Sequence, residues 1–162
     1  MNAQELKSEA LAIGFDLVGI APAITPHGFT PFKEWLKRGF SGEMHYMTQH
    51  AAARHHPSNV MSGVRSIVLV GMNYYSDPVR EDPGPHQNPL PRFSGKVSRY
   101  AWGQDYHVIL RARLKQLQKF VIQKAPDSNS RVVVDTAPIL ERDFSQIAGI
   151  GWIGKNTMLI NK

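Results

Sequence analysis

The residues best suited to chemistry lie near the end of the chain, where a carboxylate follows a run of valines. Val132–Val134 predict a buried strand that carries Asp135 at its carboxyl end, and a short helix follows. Open α/β sheets present ligand-binding residues at the carboxyl ends of their strands, where loops leave the sheet. Burial among valines would favour the protonated form of Asp135, which can donate a proton near neutral pH. The same carboxylate could instead cap the helix that begins near Pro138, and spacing alone does not separate the two roles.

A glycine-rich stretch follows that helix and reads Gly149-Ile150-Gly151-Trp152-Ile153-Gly154-Lys155. Its glycines would let backbone amides approach a large ligand, and Lys155 can meet a phosphate or a carboxamide. The stretch is not a Walker loop, because Asn156 follows the lysine. It is not a dinucleotide fingerprint either, because Trp152 and Ile153 do not lead into an evident helix. A tight turn around a packed tryptophan is the alternative.

A third candidate is the mixed polar and aromatic segment Ser98-Arg99-Tyr100-Ala101-Trp102-Gly103. Such groups hold a flat cofactor or a nucleotide by stacking and hydrogen bonding, whereas an amphipathic edge strand would explain the same composition. Asp105-Tyr106-His107 begins like the corrinoid signature D-x-H-x-x-G, but Leu110 occupies the glycine position. We therefore interpret Asp105 as a helix N-cap and His107 as a first-turn residue.

We predict no metal site from the histidines. His45, His50, His55 and His56 lack the paired i, i+4 spacing that seats zinc on a helix face, and no carboxylate cluster accompanies them.

The elements that position these residues follow from hydrophobic periodicity. Helices are predicted over Leu6–Ile13 with Gly14 as the stop, from Pro31 to Gly39, over 42–54, and from Gly103 or Asp105 to about Lys124. Strands are predicted over Phe15–Ala21 and Ser66–Met72, the second covered on both faces. Residues 76–95 are predicted as a proline-rich loop, and 96–101 as a strand or ordered arm. The long helix should bury Ile109, Leu110, Leu114, Leu117 and Val121 and turn Arg111, Arg113, Lys115 and Lys119 mostly outward.

Composition limits the class of protein. The 162 residues fit one domain, and their net charge of +6 with a pI near 9.7 suits a polyanionic partner. The chain has no cysteine, which excludes disulfides and thiolate metal ligands within it. No apolar run is long enough for a membrane helix and the N-terminus does not read as a signal peptide, so we expect a cytoplasmic protein without a membrane partner. Because the last residues end without a cap or turn, we expect a truncated chain.

Three of these motifs together closely resemble epoxyqueuosine reductase. They are the segment from Ser98 to His107, the segment Asp135-Thr136-Ala137-Pro138-Ile139-Leu140-Glu141-Arg142, and the segment from Gly149 to Thr157. The resemblance implies an enzyme that reduces epoxyqueuosine in tRNA to queuosine, the last step of queuosine formation, using cobalamin and two [4Fe–4S] clusters. It further implies a single α/β (α+β) corrinoid-binding domain over residues 1–162, similar to nitroreductases and reductive dehalogenases, with a mixed sheet flanked by helices.

The resemblance also assigns roles to individual residues. Asp135 matches the family's proton donor. The cobalamin contacts that it implies are Arg54, Ser98, Tyr100, Asp135, Leu140, Trp152, Ile153, Lys155 and Asn156. Arg92, Lys96 and Arg99 are expected to attract tRNA phosphates.

The family continues past the equivalent of Lys162 into a ferredoxin-like module whose cysteines bind the two clusters. We therefore expect these residues to be an inactive or nearly inactive monomeric fragment by themselves. Two other functions stay open. A pure binding module would hold cobalamin or tRNA without turnover, and a nitroreductase-like enzyme would bind flavin.

Overall fold

The computed structural model of the chain describes residues 1–74 and 97–161, and it leaves out the side chain of Arg99. The proline-rich loop predicted over 76–95, and the tRNA contacts predicted at Arg92, Lys96 and the Arg99 side chain, lie outside the described residues. Within these limits, no helix has the length and hydropathy to cross a membrane. In the same ranges, no group of three His, Asp or Glu side chains lies together as metal ligands would.

Helices and short antiparallel strand pairs make up the described fold. The helices are α1 (Ala3–Ile13), α2 (Phe29–Lys37), α3 (His45–Gln49), α4 (Ala51–His55), α5 (Tyr106–Lys124) and α6 (Glu141–Ile147). The strands are β1 (Leu17–Pro22), β2 (Ser66–Gly71), β3 (Trp152–Ile153) and β4 (Leu159–Ile160). Short 3₁₀ turns lie at Pro57–Asn59 and Arg99–Ala101.

Two predicted helices form, and the first begins at Ala3 rather than at Leu6. Asn2 and Glu5 make a capping box at the start of α1, and Gly14 ends the helix with a φ of 102°, which glycine adopts without strain. The side chain of Asp105 accepts a hydrogen bond from the backbone of His107 at the start of α5. These caps satisfy amides that would otherwise lack partners at the helix ends.

The core lies between the first strand pair and the two longest helices. β1 pairs antiparallel with β2, with Leu17 opposite Gly71 and Pro22 opposite Ser66. The centre of the core is a buried cluster of four residues, Leu6, Ala10, Phe15 and Leu117. Val18, Ile20, Val68 and Val70 pack against this cluster. On the other face of β1, the Cβ that Gly19 lacks would lie 2.7 Å from that of Ala148, so α6 packs directly on the strand backbone. β1 and β2 therefore lie between α1 and α5 on one side and α6 on the other.

Several predictions differ from the structure. Residues 132–134 do not form a strand, because the Thr136 amide turns back to the Val134 carbonyl and Asp135 has a positive φ of 38°. The described strand pairs are antiparallel rather than a mixed sheet. The helix predicted over 42–54 is divided into α3 and α4 at His50, and residues 97–101 contain a 3₁₀ turn rather than a strand.

The long helix also differs in one orientation. Arg113 turns inward rather than outward, because its guanidinium donates to the Gly14 carbonyl and contacts the Met72 sulfur.

Candidate functional site

Asp135 lies in the loop between α5 and α6, where two side chains from the first turn of α5 hold its carboxylate. The Tyr106 hydroxyl donates a hydrogen bond to Oδ2, and His107 Nε2 lies 3.1 Å from Oδ1. The Asp135 side chain is 44% exposed, although the preceding Val134 is buried. The expectation of a carboxylate buried among valines is therefore wrong. The turn after Val134 brings Asp135 out of the core toward α5.

His107 stands between two carboxylates. Asp105 Oδ1 lies 2.8 Å from Nδ1 of His107 and also accepts a hydrogen bond from the His107 backbone. The hydrogen bond to Asp105, with a smaller contribution from Asp135, raises the pKa of His107. The His107 backbone amide in turn lowers the pKa of Asp105. Asp105, His107 and Asp135 thus form a chain of groups that can exchange protons, and the imidazole is its middle member.

Tyr106 is the second residue that holds Asp135. Because its hydroxyl donates to the carboxylate, the pKa of Tyr106 rises to about 12, so this phenol stays protonated at any physiological pH. Its ring stacks on His107 with 4.1 Å between centroids and meets the edge of Tyr100 at 6.1 Å. Tyr100 is 55% exposed and also contacts Tyr74. An open aromatic surface therefore adjoins the carboxylate.

Glu141, the first residue of α6, is a neighbour of Asp135. The sequence pattern did not predict a role for Glu141 at the site. Burial, followed by the negative charge of Asp135, raises the pKa of Glu141, while a hydrogen bond from the Asp135 backbone acts in the opposite direction. The sequence offered one signal, an acid in the first turn of a helix, but that position is common in surface helices. The helix that Asp135 was predicted to cap begins instead after Leu140, which gives no side-chain cap.

The glycine-rich stretch provides strand β3 of the β3–β4 hairpin and the start of the turn that leads to β4. A Cβ on Gly151 would meet the Ile160 carbonyl at 2.2 Å, so that glycine allows the two strands to approach. Lys155 and Asn156 are exposed in the turn, and Asn156 Oδ1 accepts a hydrogen bond from the Met158 amide. Trp152 is 46% exposed, so the packed tryptophan is wrong.

Arg142 fixes this hairpin to the helix that follows Asp135. Its guanidinium donates to the Thr157 carbonyl at 2.7 Å and contacts the Thr157 hydroxyl at 3.2 Å. Because Arg142 lies one residue after Glu141 on α6, the loop of Asp135 and the tip of the hairpin are attached to the same helix. A movement of α6 would carry both.

Arg54 at the end of α4 belongs to a separate group of contacts with α2. Its guanidinium lies 5.7 Å above the ring of Phe32, and the adjacent His55 packs on Phe29. Burial lowers the pKa of Arg54, against a smaller opposing effect of Tyr46. Among the described residues, its buried Nη1 has no hydrogen-bond partner. A buried donor without a partner is costly, and a polar group of a bound ligand would satisfy it.

The remaining predicted contacts lie on three different elements. The Ser98 carbonyl accepts from the Ala101 amide in the 3₁₀ turn that contains Tyr100. The Leu140 carbonyl accepts from Phe144 in the first turn of α6, and Ile153 pairs with Leu159 in the hairpin. The structure joins Tyr100 to Asp135 through Tyr106. The roles of these residues as ligand contacts stay predictions.

The family comparison matches the region that joins Arg54 to Asp135. Residues 54–136 match the family model described as "Epoxyqueuosine reductase QueG, DUF1730". The chain belongs to the epoxyqueuosine reductase family. The matched range includes Asp105, Tyr106 and His107 as well as Asp135, so most of the site lies within it.

Curated epoxyqueuosine reductases match along nearly the whole chain. The protein from Escherichia coli is 37% identical over 160 residues, which are 99% of this chain and 41% of that protein. The protein from Leadbetterella byssophila is 34% identical over 160 residues, or 98% of this chain and 50% of that protein. The chain thus spans about half or less of the length of these relatives.

Solved epoxyqueuosine reductases share the fold. A structure from Bacillus subtilis, whose catalytic aspartate loop is swung out of the active site, gives a TM-score of 0.79 at 26% identity over 98% of this chain and 40% of that chain. A structure with an epoxyqueuosine-modified tyrosine tRNA stem loop gives 0.77 at 28% identity over the same 98%, again 40% of that chain.

Proposed function

We propose that this chain is the substrate-facing, cobalamin-binding domain of an enzyme that reduces epoxyqueuosine in tRNA to queuosine, with Asp135 as the proton donor. The observation that carries the proposal is the carboxylate of Asp135, held by Tyr106 and His107 beside exposed aromatic rings. It lies in a chain of the epoxyqueuosine reductase family. A solved relative holds an epoxyqueuosine-modified tRNA stem loop, which supports the same substrate here.

The proposed reaction requires that protons be delivered to the epoxide oxygen. Conversion of an epoxide to an alkene consumes two electrons and two protons and releases the oxygen as water. The His107 imidazolium, whose Nε2 lies 3.1 Å from Oδ1, holds the first proton, and the Asp135 carboxylate passes it to the departing oxygen. The second proton follows the same route after His107 is protonated again from solvent. The raised pKa of His107 increases the fraction of imidazolium available for that transfer near neutral pH. Tyr106 keeps its own proton and orients the carboxylate.

The described residues fit a corrinoid. The buried Arg54 Nη1 without a partner can donate to an amide or phosphate of the cofactor, and the hydroxyl of Ser98 and the ring of Tyr100 are exposed. Leu140, Trp152, Ile153, Lys155 and Asn156 are the further proposed contacts. Cobalamin, when bound, supplies the electrons for the cleavage of the carbon–oxygen bond. The iron–sulfur clusters do not fit this chain, because its 162 residues contain no cysteine.

The loop of Asp135 has the features of a movable segment. In the Bacillus subtilis relative the catalytic aspartate loop is swung out of the active site. Here Asp135 adopts a positive φ, and its carboxylate is held from one side by the first turn of α5. We propose that Tyr106 and His107 hold this loop against the first turn of α5.

The experiment combines binding with turnover. The chain is titrated with cob(II)alamin and followed by visible and EPR spectra, then mixed with a strong chemical reductant and a stem loop that carries epoxyqueuosine. We expect saturable binding with a changed cobalt spectrum and slow product formation. Asp135→Asn should still show a saturable change in the cobalt spectrum and lose turnover by at least about 100-fold, because the amide has no acidic proton. The exposed control Asp127→Asn should match the parent chain.

Two results would contradict this proposal. Normal turnover by Asp135→Asn would remove Asp135 as the donor. Failure of the folded chain to change the cobalt spectrum would remove the corrinoid site from these residues.

A further inference from the structure

The exposed face of α5 carries a row of cations that starts at the candidate site. His107, Arg111, Lys115 and Lys119 follow one another at intervals of four residues. Residues at this interval lie close together on a helix surface, about 6 Å apart along the axis. Arg111, Lys115 and Lys119 are exposed. We call these three residues the α5 cation row.

The row adjoins Asp135 at one end. His107, one turn before Arg111, contacts the Asp135 carboxylate. The charge of Arg111 contributes to the lowered pKa of Asp105, so the two groups are close enough to interact. From Arg111 the row runs about 12 Å away from the site to Lys119. The opposite face of α5 holds the buried Leu117, so the three cations cannot turn into the core.

No carboxylate of the described chain forms an ion pair with this row, although Asp105 is close enough to Arg111 for their charges to interact. The helix contains no Asp or Glu. Within residues 1–74 and 97–161, none of the three cations forms an ion pair or a side-chain hydrogen bond. Like charges at i, i+4 destabilise a helix, whereas an acid at that spacing would stabilise it. A row without ion pairs in the described part of the chain points to an anionic partner rather than to helix stability.

We propose that the α5 cation row binds successive phosphates of an RNA substrate and guides its backbone to Asp135. Several cations at regular spacing suit a polyanion better than a single small anion. The row ends where the proposed reaction takes place, so phosphates that flank the reacting nucleotide meet Arg111 first. This inference rests on the proposed function for the identity of the RNA as tRNA and for the reaction at Asp135, whereas the binding of phosphates by the row does not depend on it. An anionic membrane is the competing partner, because Val108 and Ile122 are exposed on the same face.

A charge-matched pair of variants tests the proposal. The first is Arg111→Ala/Lys115→Ala/Lys119→Ala, and alanine at these exposed positions keeps or raises helix propensity. The control, Lys33→Ala/Lys37→Ala/Arg38→Ala, removes the same charge from the exposed side of α2 and its C-cap. Thermal unfolding by circular dichroism checks that both variants fold.

Binding of an unmodified tRNA stem loop is measured by fluorescence anisotropy over a range of salt concentrations. We expect the α5 variant to lose at least about 10-fold in affinity at low salt. The slope of log K against log salt should fall by about two, because each lost phosphate contact removes about 0.7 to 0.9 from it. The α2 control should stay within about twofold of the parent chain.

Three results would overturn the proposal. They are equal losses in both variants, no RNA binding by the parent chain, or a loss of binding to phosphatidylglycerol vesicles while RNA binding is kept. The readout does not depend on turnover, so it separates this proposal from the previous one. If the row binds RNA but the chain does not reduce epoxyqueuosine, the proposal for the α5 cation row stands and the proposed reaction is wrong.

Discussion

At the level of single residues, His107 is the group best placed to exchange a proton with Asp135. The imidazole touches Asp105 through Nδ1 and Asp135 through Nε2, so both ring nitrogens face a carboxylate. Hydrogen bonds from both sides favour the imidazolium, because both nitrogens are donors only in that form. The raised pKa of His107 follows from this arrangement and not from burial, since burial acts against it.

Asp105→Asn should lower the pKa of His107, because the hydrogen bond to Asp105 is the largest cause of its rise. The folded pKa exceeds the unfolded value. The stabilisation from the charged imidazole is therefore fully present below about pH 6.5 and is lost as the pH rises through the folded value. NMR titration of the imidazole carbon resonances measures the shift, and Asp127→Asn is the control. An unchanged His107 titration in Asp105→Asn would mean that Asp105 does not control this imidazole.

At the level of elements, regular helices could be predicted from the sequence and irregular turns could not. The end of α1 and the start of α5 follow from Gly14 and Asp105, whose roles are local and leave a clear pattern, whereas α1 begins at Ala3, before the predicted Leu6. The valines before Asp135 also predicted a strand, but no strand forms there. Valine favours strands because its side chain packs well on a half-buried surface. Here the tight turn buries Val134 without forming a sheet.

The site shows the same division. Asp135 was found because its position after an apolar run is local information. Tyr106 and Glu141 were not singled out for chemistry, since their roles depend on contacts between α5, the loop and α6. Helical periodicity predicts that Arg113 points outward, because a pattern within one helix gives no information about the Gly14 carbonyl, which lies outside that helix. Spacing within one element predicts its own ends and faces, whereas contacts between elements need the assembled fold.

The start of α2 depends on a residue of α6. Asp143 Oδ1 accepts a hydrogen bond from the Gly28 amide at 2.7 Å in a partly buried position. Gly28 is the N-cap of α2 and receives no side-chain cap from its own helix. Asp143→Ala leaves this amide without its partner and should lower the free energy of unfolding by about 1–3 kcal/mol.

Urea unfolding measures this difference from the midpoint at constant slope. The exposed substitution Asp127→Ala serves as the control and should change stability by less than about 0.5 kcal/mol. Equal midpoints for the two variants would show that the link between α6 and α2 does not contribute to stability.

At the level of the whole molecule, one helix connects the first strand pair to the candidate site. α6 begins beside Asp135, holds the hairpin through Arg142 and ends on β1 at Gly19. The candidate site and the core therefore share this packing surface. A disturbance at the distant end of α6 should reach the carboxylate, because packed interiors transmit strain.

Gly19→Ala tests this connection. The added Cβ would lie 2.7 Å from both the Cβ and the carbonyl oxygen of Ala148, and 3.0 Å from Cγ1 of Ile150, so α6 must move away from β1. We expect a loss of about 1–3 kcal/mol in the free energy of unfolding and faster hydrogen exchange in α6. Gly71→Ala is the matched control, since its Cβ meets only the flexible Leu17 side chain, at 3.2 Å. If Gly19→Ala slows turnover and Gly71→Ala does not, the position of α6 controls Asp135. Similar exchange and turnover in both variants would separate the core from the site.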